Sequence, residues 1–255
     1  MQNKVVIVTG GAAGIGRATV ERFARAGAHV AIWDVDEPRG IALAHELVSQ
    51  EFSAIFARVD VTSSDGVNQA VADTVARWGR VDVLVNNAGI VRDQQLAKFK
   101  DGALVATMSD ETFDLVVNVN LKGVFHCTRA VVPHMVTQGG GVVLNASSVV
   151  GLYGNFGQTN YSATKGAVIT MTKTWARELG KFKVRVNCVC PGFIATEILK
   201  SMPEKVLDSM VARTPIGRMG QPEDIANAYY WLASDDAAFV HGAVISVDGG
   251  LVIGT

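Results

Sequence analysis

Short apolar segments alternate with segments of helical periodicity along the whole chain. The apolar segments are continuous, without alternating polar residues, which is typical of parallel strands covered on both faces. Strands are predicted at 5–9, 29–33, 54–59, 81–86, 141–146, 184–189 and 244–247. A helical period follows the first strand, and further helices are predicted near 38–50, 64–78, 110–138, 160–180 and 222–234. This pattern predicts an α/β fold, a doubly wound Rossmann-type domain with a seven-stranded parallel sheet and helices on both faces.

Two stretches interrupt this alternation. Residues 91–109 form a long loop after the fourth predicted strand, and residues 193–217 carry apolar residues without a strand. The apolar residues of the second stretch include Leu199, Met202, Leu207 and Met210. Both stretches follow the carboxyl ends of strands, where ligands bind in open α/β sheets. We expect them to be walls or lids of a substrate pocket.

Length and composition fit one domain over residues 1–255. Hydrophobic residues make up 49% of the chain, so a large core can form, and the net charge of −1 argues against nucleic acid or an anionic membrane as the main partner. The first strand begins near Lys4, which leaves no room for a signal peptide, and no apolar segment is long enough to span a bilayer. We therefore expect a cytoplasmic protein.

The chain has three cysteines, Cys127, Cys188 and Cys190, which is too few for a disulfide framework and poorly spaced for a zinc site. Cys188 and Cys190 lie two apart in a predicted strand and so face the same side of the sheet, with Val189 on the other side. A two-thiolate metal site lacks a third ligand in the sequence. We interpret the cysteines as small core residues and predict no metal.

A glycine-rich turn, with Gly10, Gly14 and Gly16, follows the first strand and opens a helix at Ile15. Glycines in this position permit a tight turn and the close approach of a pyrophosphate, which the free N–H groups of the helix then face. Three glycines alone would be weak evidence. The position after strand one makes the turn a predicted dinucleotide-binding site.

Asp34, at the end of the second strand, strengthens that prediction. A carboxylate there accepts hydrogen bonds from the adenosine ribose hydroxyls and repels a 2′-phosphate. NAD(H) is therefore favoured over NADP(H) as the cofactor. Arg17 and Arg39 leave this choice partly open, and the alternative for Asp34 is a turn or helix-capping aspartate.

Ser148, Tyr161 and Lys165 form the candidate catalytic group. Tyr161 and Lys165 are spaced i, i+4 in a predicted helix and so share one face. A cation held beside the phenol favours the phenolate and brings its pKa toward the working range of an acid/base catalyst. Ser148 would hold the substrate oxygen against the phenol. By itself, a Tyr–Lys pair at this spacing is also a common structural feature of helices.

Together these residues resemble the short-chain dehydrogenase/reductase family, single-domain NAD(P)-dependent type, over essentially the whole chain. The matching motifs are Thr9-Gly10-x3-Gly14-Ile-Gly16, Asp60-Val61, Asn86-Asn-Ala-Gly89, Asn120 in Val-Asn-Leu-Lys-Gly, Ser148, Tyr161-x3-Lys165, Pro191-Gly192 and Asp248-Gly-Gly. The segments from Ser147 to Tyr161 and from Pro191 to Thr196 are most similar to those of bacterial 3-oxoacyl-thioester (3-oxoacyl-acyl-carrier-protein) reductases.

The resemblance implies a role for each matching residue. Tyr161 corresponds to the general acid/base, Ser148 to the group that orients the carbonyl, and Lys165 to the residue that lowers the Tyr161 pKa and binds the nicotinamide ribose. Asn120 would hold a water linking Lys165 to a proton relay; Asn118 is the competing position. Further implied cofactor contacts are Asp60, Val61, Asn86, Ala88, Gly89, Pro191, Gly192, Ile194 and Thr196, in addition to the glycine turn with Ile15.

These features predict an enzyme, an NAD(H)-dependent oxidoreductase that interconverts a ketone and a secondary alcohol. The leading interpretation is a 3-oxoacyl-thioester reductase or its reverse, a 3-hydroxyacyl dehydrogenase, with Tyr153 and Phe156 lining the substrate pocket alongside Ser148 and Tyr161. The alternatives are a dehydrogenase of a small free alcohol, polyol or cyclic ketone, and a catalytically silent regulator that senses NAD(H). The family also implies a homotetramer.

Two departures from the carrier-protein reductases bear on the substrate. These enzymes tend to have arginines where this chain has Gly139 and Phe182, although Lys181 and Lys183 would replace one basic contact. The loop at 91–109 is also about ten residues longer than usual, where connections are normally short. Acyl carrier protein, coenzyme A and a free keto compound therefore all stay open as substrate types.

Overall fold

The computed structural model describes residues 1–197 and 203–252. A seven-stranded sheet, parallel throughout, forms its centre, with strand order β3-β2-β1-β4-β7-β8-β9. The strands are β1 Val5–Thr9, β2 His29–Asp34, β3 Ala54–Arg58, β4 Val83–Asn86, β7 Gly141–Ala146, β8 Val184–Pro191 and β9 Val244–Val247. All seven predicted strands are confirmed, with bounds that differ by no more than two residues at either end.

The helices of the described residues are α1 Gly14–Ala24, α2 Glu37–Ser49, α3 Ser64–Trp78, α4 Asp110–Val117, α5 Gly123–Thr137, α6 Val150–Tyr153, α7 Thr159–Leu179, α8 Glu204–Ala212 and α9 Pro222–Ala233. Local chemistry explains where several begin. Asp36, Ser63 and Ser109 each accept a hydrogen bond from a backbone N–H in the first turn of α2, α3 and α4, which satisfies a donor that the helix itself leaves unpaired.

The core lies on both faces of the sheet, and successive residues of β1 show this. Val6 and Val8 pack with the buried residues of α1, α2 and α9, whereas Ile7 packs with those of α3 and α5 on the opposite face. Cys188 and Cys190 lie in a third cluster with α5 and α7, while Val189 packs on the α9 side. The interpretation of these cysteines as small core residues is confirmed.

The predicted helix at 110–138 is wrong in one respect, because it is three elements. A π-helical turn, Asn118–Lys122, separates α4 from α5, and its end is marked by a hydrogen bond from the Gly123 N–H to the Asn118 carbonyl, five residues back. Such single turns interrupt helices most often at functional sites. Here the turn contains Asn120.

The two long loops also contain structure that the sequence analysis did not predict. Within 91–109, β5 (Ala97–Lys100) and β6 (Ala103–Thr107) form an antiparallel hairpin whose residues are all exposed. Within 193–217, α8 forms, while Leu199 and Met202 lie outside the described residues. The hairpin was missed because its strands have no buried face to produce a period of two.

None of the helices in the described ranges combines the length and apolar character needed to cross a membrane.

Candidate active site

The candidate site lies at the carboxyl ends of the strands, beside the point where the strand order reverses. After β3 the chain returns to the other side of β1, so the crevice between the ends of β1 and β4 is the switch point of the sheet. Ligands bind at this position in open α/β folds. The glycine turn follows β1, and the catalytic candidates follow β4 and β7 and begin α7.

The glycine turn has the geometry that a pyrophosphate site needs. Gly10 and Gly14 have φ of +61° and +52°, a region that favours glycine. A Cβ on Gly10 would lie 2.9 Å from the Ala88 Cα, so the turn packs directly against the segment after β4. Ala13, the N-cap residue of α1, has no polar side-chain group that could accept hydrogen bonds from the N–H groups of the first turn. Those groups are therefore available to an anion.

Asp34 joins the glycine turn to the end of β2. Its carboxylate accepts hydrogen bonds from the Ala12 N–H at 2.9 Å and the Asp36 N–H at 3.0 Å, and the residue stays partly exposed. Two backbone donors hold a negative charge beside the turn, with lone pairs left for further donors. The residues present thus fit a dinucleotide whose ribose hydroxyls would donate to this carboxylate.

Asn86, which is predicted to lie along the cofactor, has its side chain engaged within the fold. Asn86 is buried, and its amide donates to Thr128 Oγ1 at 3.0 Å and Asn145 Oδ1 at 2.9 Å inside the protein. A buried amide needs such partners, so this side chain is used within the fold. The side chain of the next residue, Asn87, contacts the glycine turn, because its amide donates to the carbonyls of Thr9 and Gly10.

Thr9 completes the link between the ends of β1 and β4. Its hydroxyl accepts hydrogen bonds from the N–H groups of Asn87 and Ala88, both at 3.0 Å. Thr9 and Asn87 belong to the sequence motifs without a predicted role of their own. Their role follows from two strands being neighbours in the sheet, which the linear pattern does not state.

Asn120, Gly89 and Lys165 meet on one side of the crevice. A Cβ on Gly89 would lie 3.3 Å from Asn120 Oδ1 and 3.6 Å from Lys165 Nζ, so the lack of a side chain at Gly89 keeps these two groups close. Both ends of the Asn120 amide bond the backbone of Ile90, at 2.8 and 2.9 Å. The structure therefore selects Asn120 over Asn118 as the residue beside Lys165, and its side chain holds the segment after β4 in place.

Ser148 and Tyr161 come together from β7 and α7. Ser148 is buried, its hydroxyl accepts a hydrogen bond from the Val150 N–H at 3.2 Å, and it lies close enough to the Tyr161 phenol to lower the phenol pKa. Tyr161 lies in the first turn of α7. Asn160, which is fully buried, fixes this turn, because its amide donates to the carbonyls of Arg92 and Thr112 and accepts from the Tyr161 N–H.

The pKa of Tyr161 differs from the prediction. Desolvation raises it above the usual value for a phenol, the nearby Ser148 hydroxyl lowers it in part, and the negative charge of Asp93 raises it further. Lys165 is not among the causes of this shift; its Nζ lies 5.5 Å from the centre of the Tyr161 ring and donates to the Ala146 carbonyl at 2.8 Å. This direction differs from the lowered pKa expected from the Tyr161–Lys165 spacing, and the role of Lys165 toward Tyr161 stays a prediction.

Lys165 is itself perturbed. Complete burial lowers its pKa to about 8, which the nearby thiols of Cys188 and Cys190 partly offset. An ammonium with so little solvation gives up its proton far more readily than a surface lysine. It is thus suited to a proton relay near neutral pH.

The remaining predicted cofactor residues surround the crevice. Asp60 follows β3, and its exposed carboxylate accepts from the N–H and hydroxyl of Thr62. Val61 is buried beneath α5. Pro191 ends β8 and Gly192 follows it. Thr196 approaches the glycine turn, since a Cβ on Gly14 would lie 3.5 Å from its methyl group.

Ile194, which is predicted to contact the cofactor, also has its side chain engaged within the fold. Its side chain is buried in the core on the α9 side, and its strand-like backbone pairs with Gly220. Only the backbone of Ile194 can therefore face a cofactor.

The predicted substrate residues lie at the rim of the site. Tyr153 ends α6 with half of its surface exposed, and Phe156 is 81% exposed in the loop before α7. The base of the 91–109 loop lies against this rim: the Gln94 N–H donates to the Gly157 carbonyl, and Asp93 accepts from the Gln158 amide at 2.9 Å. Asp93 and Gln158 were missed because their pairing joins two loops 65 residues apart.

The fold and this group of residues define a dinucleotide-binding oxidoreductase. A family model described as enoyl-(acyl carrier protein) reductase matches residues 10–252. The chain belongs to the short-chain dehydrogenase/reductase family, whose members are NAD(P)-dependent.

Several proteins with similar sequences are known. The 3-oxoacyl-[acyl-carrier-protein] reductase FabG of Thermotoga maritima is 46% identical over 99% of both chains. FabG of Chlamydia trachomatis is 41% identical over 98% of this chain and 97% of its own. The (2S)-[(R)-hydroxy(phenyl)methyl]succinyl-CoA dehydrogenase subunit BbsD of Thauera aromatica is also 41% identical, with the same coverage. The crystal structure of gox2181 superposes with a TM-score of 0.92 at 35% identity, covering 98% of this chain and 96% of that one.

Proposed function

We propose that this protein is an NAD(H)-dependent 3-oxoacyl-thioester reductase, or in reverse a 3-hydroxyacyl-thioester dehydrogenase. The observation that carries the proposal is the meeting of the Ser148 hydroxyl with the Tyr161 phenol at the carboxyl edge of the sheet, beside Lys165 and the glycine turn. This arrangement supplies a proton and an oxygen-binding hydroxyl at one point.

The chain's own residues handle the oxygen and its proton. A nicotinamide cofactor supplies or accepts the hydride when bound. In reduction, the Ser148 hydroxyl donates to the carbonyl oxygen and the Tyr161 phenol gives that oxygen its proton. In oxidation, the Tyr161 phenolate takes the alcohol proton. With its pKa raised, the Tyr161 phenol is protonated at neutral pH, which is the form that acts as the acid in reduction.

Lys165 and Asn120 support this proton traffic. Lys165, with a pKa of about 8, is the residue on this side of the crevice that can exchange a proton close to neutrality. Asn120 holds Ile90 and so positions the segment after β4 beside Lys165. We propose that Tyr161 is reprotonated along this side, with Lys165 as the relay.

The preference for NAD(H) rests on Asp34. Its carboxylate is fixed by two backbone N–H groups beside the glycine turn, where a 2′-phosphate would meet its negative charge. Because the family is NAD(P)-dependent, membership does not decide between NAD(H) and NADP(H). We infer the preference for NAD(H) from the charge of Asp34.

An acyl thioester is the substrate that the relatives favour. The names of the Thermotoga and Chlamydia proteins specify an acyl-carrier-protein substrate, and that of the Thauera protein specifies a coenzyme A thioester. In this chain Phe182, in a 3-10 turn after α7, is 40% exposed and stands where carrier-protein reductases tend to have an arginine. We therefore propose a coenzyme A thioester ahead of an acyl carrier protein.

The test is a rate comparison at 340 nm. Acetoacetyl-CoA, the corresponding carrier-protein thioester and a panel of free ketones are each assayed with NADH and with NADPH. We expect acetoacetyl-CoA with NADH to give the highest kcat/KM. Higher rates with free cyclic ketones would favour the small-alcohol dehydrogenase instead. Tight NADH binding without turnover of any substrate would identify a regulator, and equal rates with NADPH would overturn the role of Asp34.

We also propose that the protein assembles as a homotetramer through α4, α5 and α7. Phe113, Leu115 and Phe125, on α4 and α5, expose between a third and a half of their surfaces. Covering them would remove apolar area from water. Light scattering after size exclusion tests this, and a mass of one chain would contradict it.

A further inference from the structure

Two arginines near the adenosine end of the dinucleotide crevice are each held by two carboxylates. Arg17 lies on α1; its Nε is 2.8 Å from Glu21 Oε1, and its Nη2 is 2.7 Å from Glu46 Oε2. Arg39 lies on α2; its Nε is 3.5 Å from Asp36 Oδ2, and its Nη1 is 3.3 Å from Glu197 Oε2. These are the two cations that left the choice between NAD(H) and NADP(H) open in the sequence.

The two arginines are not equivalent. Both partners of Arg17 lie on α1 and α2, so that group stays within the two helices. Arg39 is closer to the ribose site, because its N–H donates to Asp36, and the Asp36 N–H in turn donates to Asp34. A guanidinium in this position is the natural partner of a 2′-phosphate.

Glu197 reaches Arg39 from the opposite side of the crevice. It belongs to the segment that follows β8, in which Thr196 lies next to the glycine turn. The segment Thr196–Glu197 therefore passes from the glycine turn to the beginning of α2, across the place where the adenosine phosphates would lie. Its carboxylate brings a second negative charge to Arg39.

We infer that Glu197 is a specificity-determining residue, which neutralises Arg39 and so withdraws it from the 2′-phosphate of NADP(H). Asp34 repels the 2′-phosphate directly, and Glu197 prevents the nearest arginine on α2 from compensating for it. This inference rests on the proposed dinucleotide site, and it extends the choice of cofactor to a residue on the substrate side of the crevice.

The size of the effect follows from exposure. The Arg39 and Glu197 side chains are 57% and 65% exposed, so water and salt weaken their attraction. Loss of the pair therefore costs little stability. It should change NADPH affinity by about two- to fivefold, the range that one exposed ion pair can supply.

The test measures cofactor binding without any substrate, so it is independent of the proposed reaction. Dissociation constants of NADH and NADPH are determined by nicotinamide fluorescence at low salt for the wild type and for Glu197→Gln. We expect Glu197→Gln to bind NADPH about two- to fivefold more tightly, with NADH affinity unchanged, and the gain to decrease as salt is added.

Three control variants make the result specific. Glu204→Gln removes the same charge from an exposed position in the first turn of α8 and should leave both affinities unchanged. Arg39→Gln combined with Glu197→Gln should abolish the gain. Arg58→Gln combined with Glu197→Gln should keep it; Arg58 is the strand-register partner of Asp34 and the competing cation.

The inference is overturned if Glu197→Gln gives no gain, if Glu204→Gln gives an equal gain, or if the gain survives the loss of Arg39. If NADPH binds more tightly as expected while no substrate is reduced, the inference stands and the proposed function fails.

Discussion

The Lys165 ammonium lies 5.5 Å from the centre of the Tyr161 ring, yet its hydrogen bond goes to the Ala146 carbonyl, 2.8 Å away. The i, i+4 spacing thus brings the two side chains together without joining them directly. The Ser148 hydroxyl lies near the phenol, whose pKa is raised by desolvation and by Asp93 and lowered in part by Ser148. In the proposed reaction, proton supply by Lys165 and proton donation by Tyr161 would therefore belong to separate but adjacent groups.

Replacing Tyr161 with phenylalanine should abolish the chemistry and leave the fold intact. The general acid/base is lost, which typically costs about 10²–10⁴-fold in rate. Ketone reduction is measured as kcat, with NADH binding followed separately by fluorescence. Tyr153→Phe is the matched control, since Tyr153 lies half-exposed at the rim. Equal losses in the two variants would contradict the assignment of Tyr161.

The stability of the protein should increase with pH between about 8 and 10.5 because of Lys165. Burial lowers its pKa from 10.5 to about 8, so in this window the unfolded chain binds one proton more than the folded chain. The cost of burying the ammonium is full below pH 8 and disappears above 10.5. The free energy of unfolding is measured with urea for the wild type and for Lys165→Met at pH 7, 8.5 and 10.

The variant lacks this titration, so its stability relative to the wild type should be highest at pH 7 and fall as the pH rises. If the difference in unfolding free energy between variant and wild type stays constant over the three pH values, burial does not lower the pKa of Lys165.

Replacing Asp93 with asparagine should move the pH profile of alcohol oxidation to lower pH. The negative charge of Asp93 opposes formation of the Tyr161 phenolate, so its removal lowers the phenol pKa. The measurement is log(kcat/KM) against pH in the oxidative direction. Asp101→Asn, at the exposed tip of the hairpin, is the control and should leave the profile unmoved. A profile unchanged in Asp93→Asn would contradict the electrostatic link.

Removing the hairpin should leave the fold intact. Ala97 and Thr107 are register partners, so residues 98–106 can be replaced by two glycines, which suit a two-residue turn. Every residue of β5 and β6 is exposed, so the melting temperature should change by no more than about 2 °C. A large fall would mean that the hairpin packs on the core or on another subunit.

The same variant tests the predicted role of the loop in the substrate pocket. If the hairpin forms a wall of the pocket, KM for a thioester should rise while KM for a small ketone stays the same. An equal change for both substrates would remove the loop from substrate recognition.

The sequence alone determined the sheet, most of the helices and the reaction class. Buried parallel strands need continuous apolar segments, and a tight turn before a helix needs glycine, so β1, Gly10 and Gly14 are visible without any structure. The spacing of Tyr161 and Lys165 is likewise a local property of one helix.

The tertiary structure decided what depends on distance across the fold. Contacts between segments far apart in the chain pair the Asn86 side chain with Asn145. Such contacts also bring Asp93 near Tyr161 and Glu197 to Arg39. The pKa values of Tyr161 and Lys165 also belong to this level, because desolvation depends on everything packed around a group. Spacing could bring the catalytic residues together, but only the folded chain could set their charge.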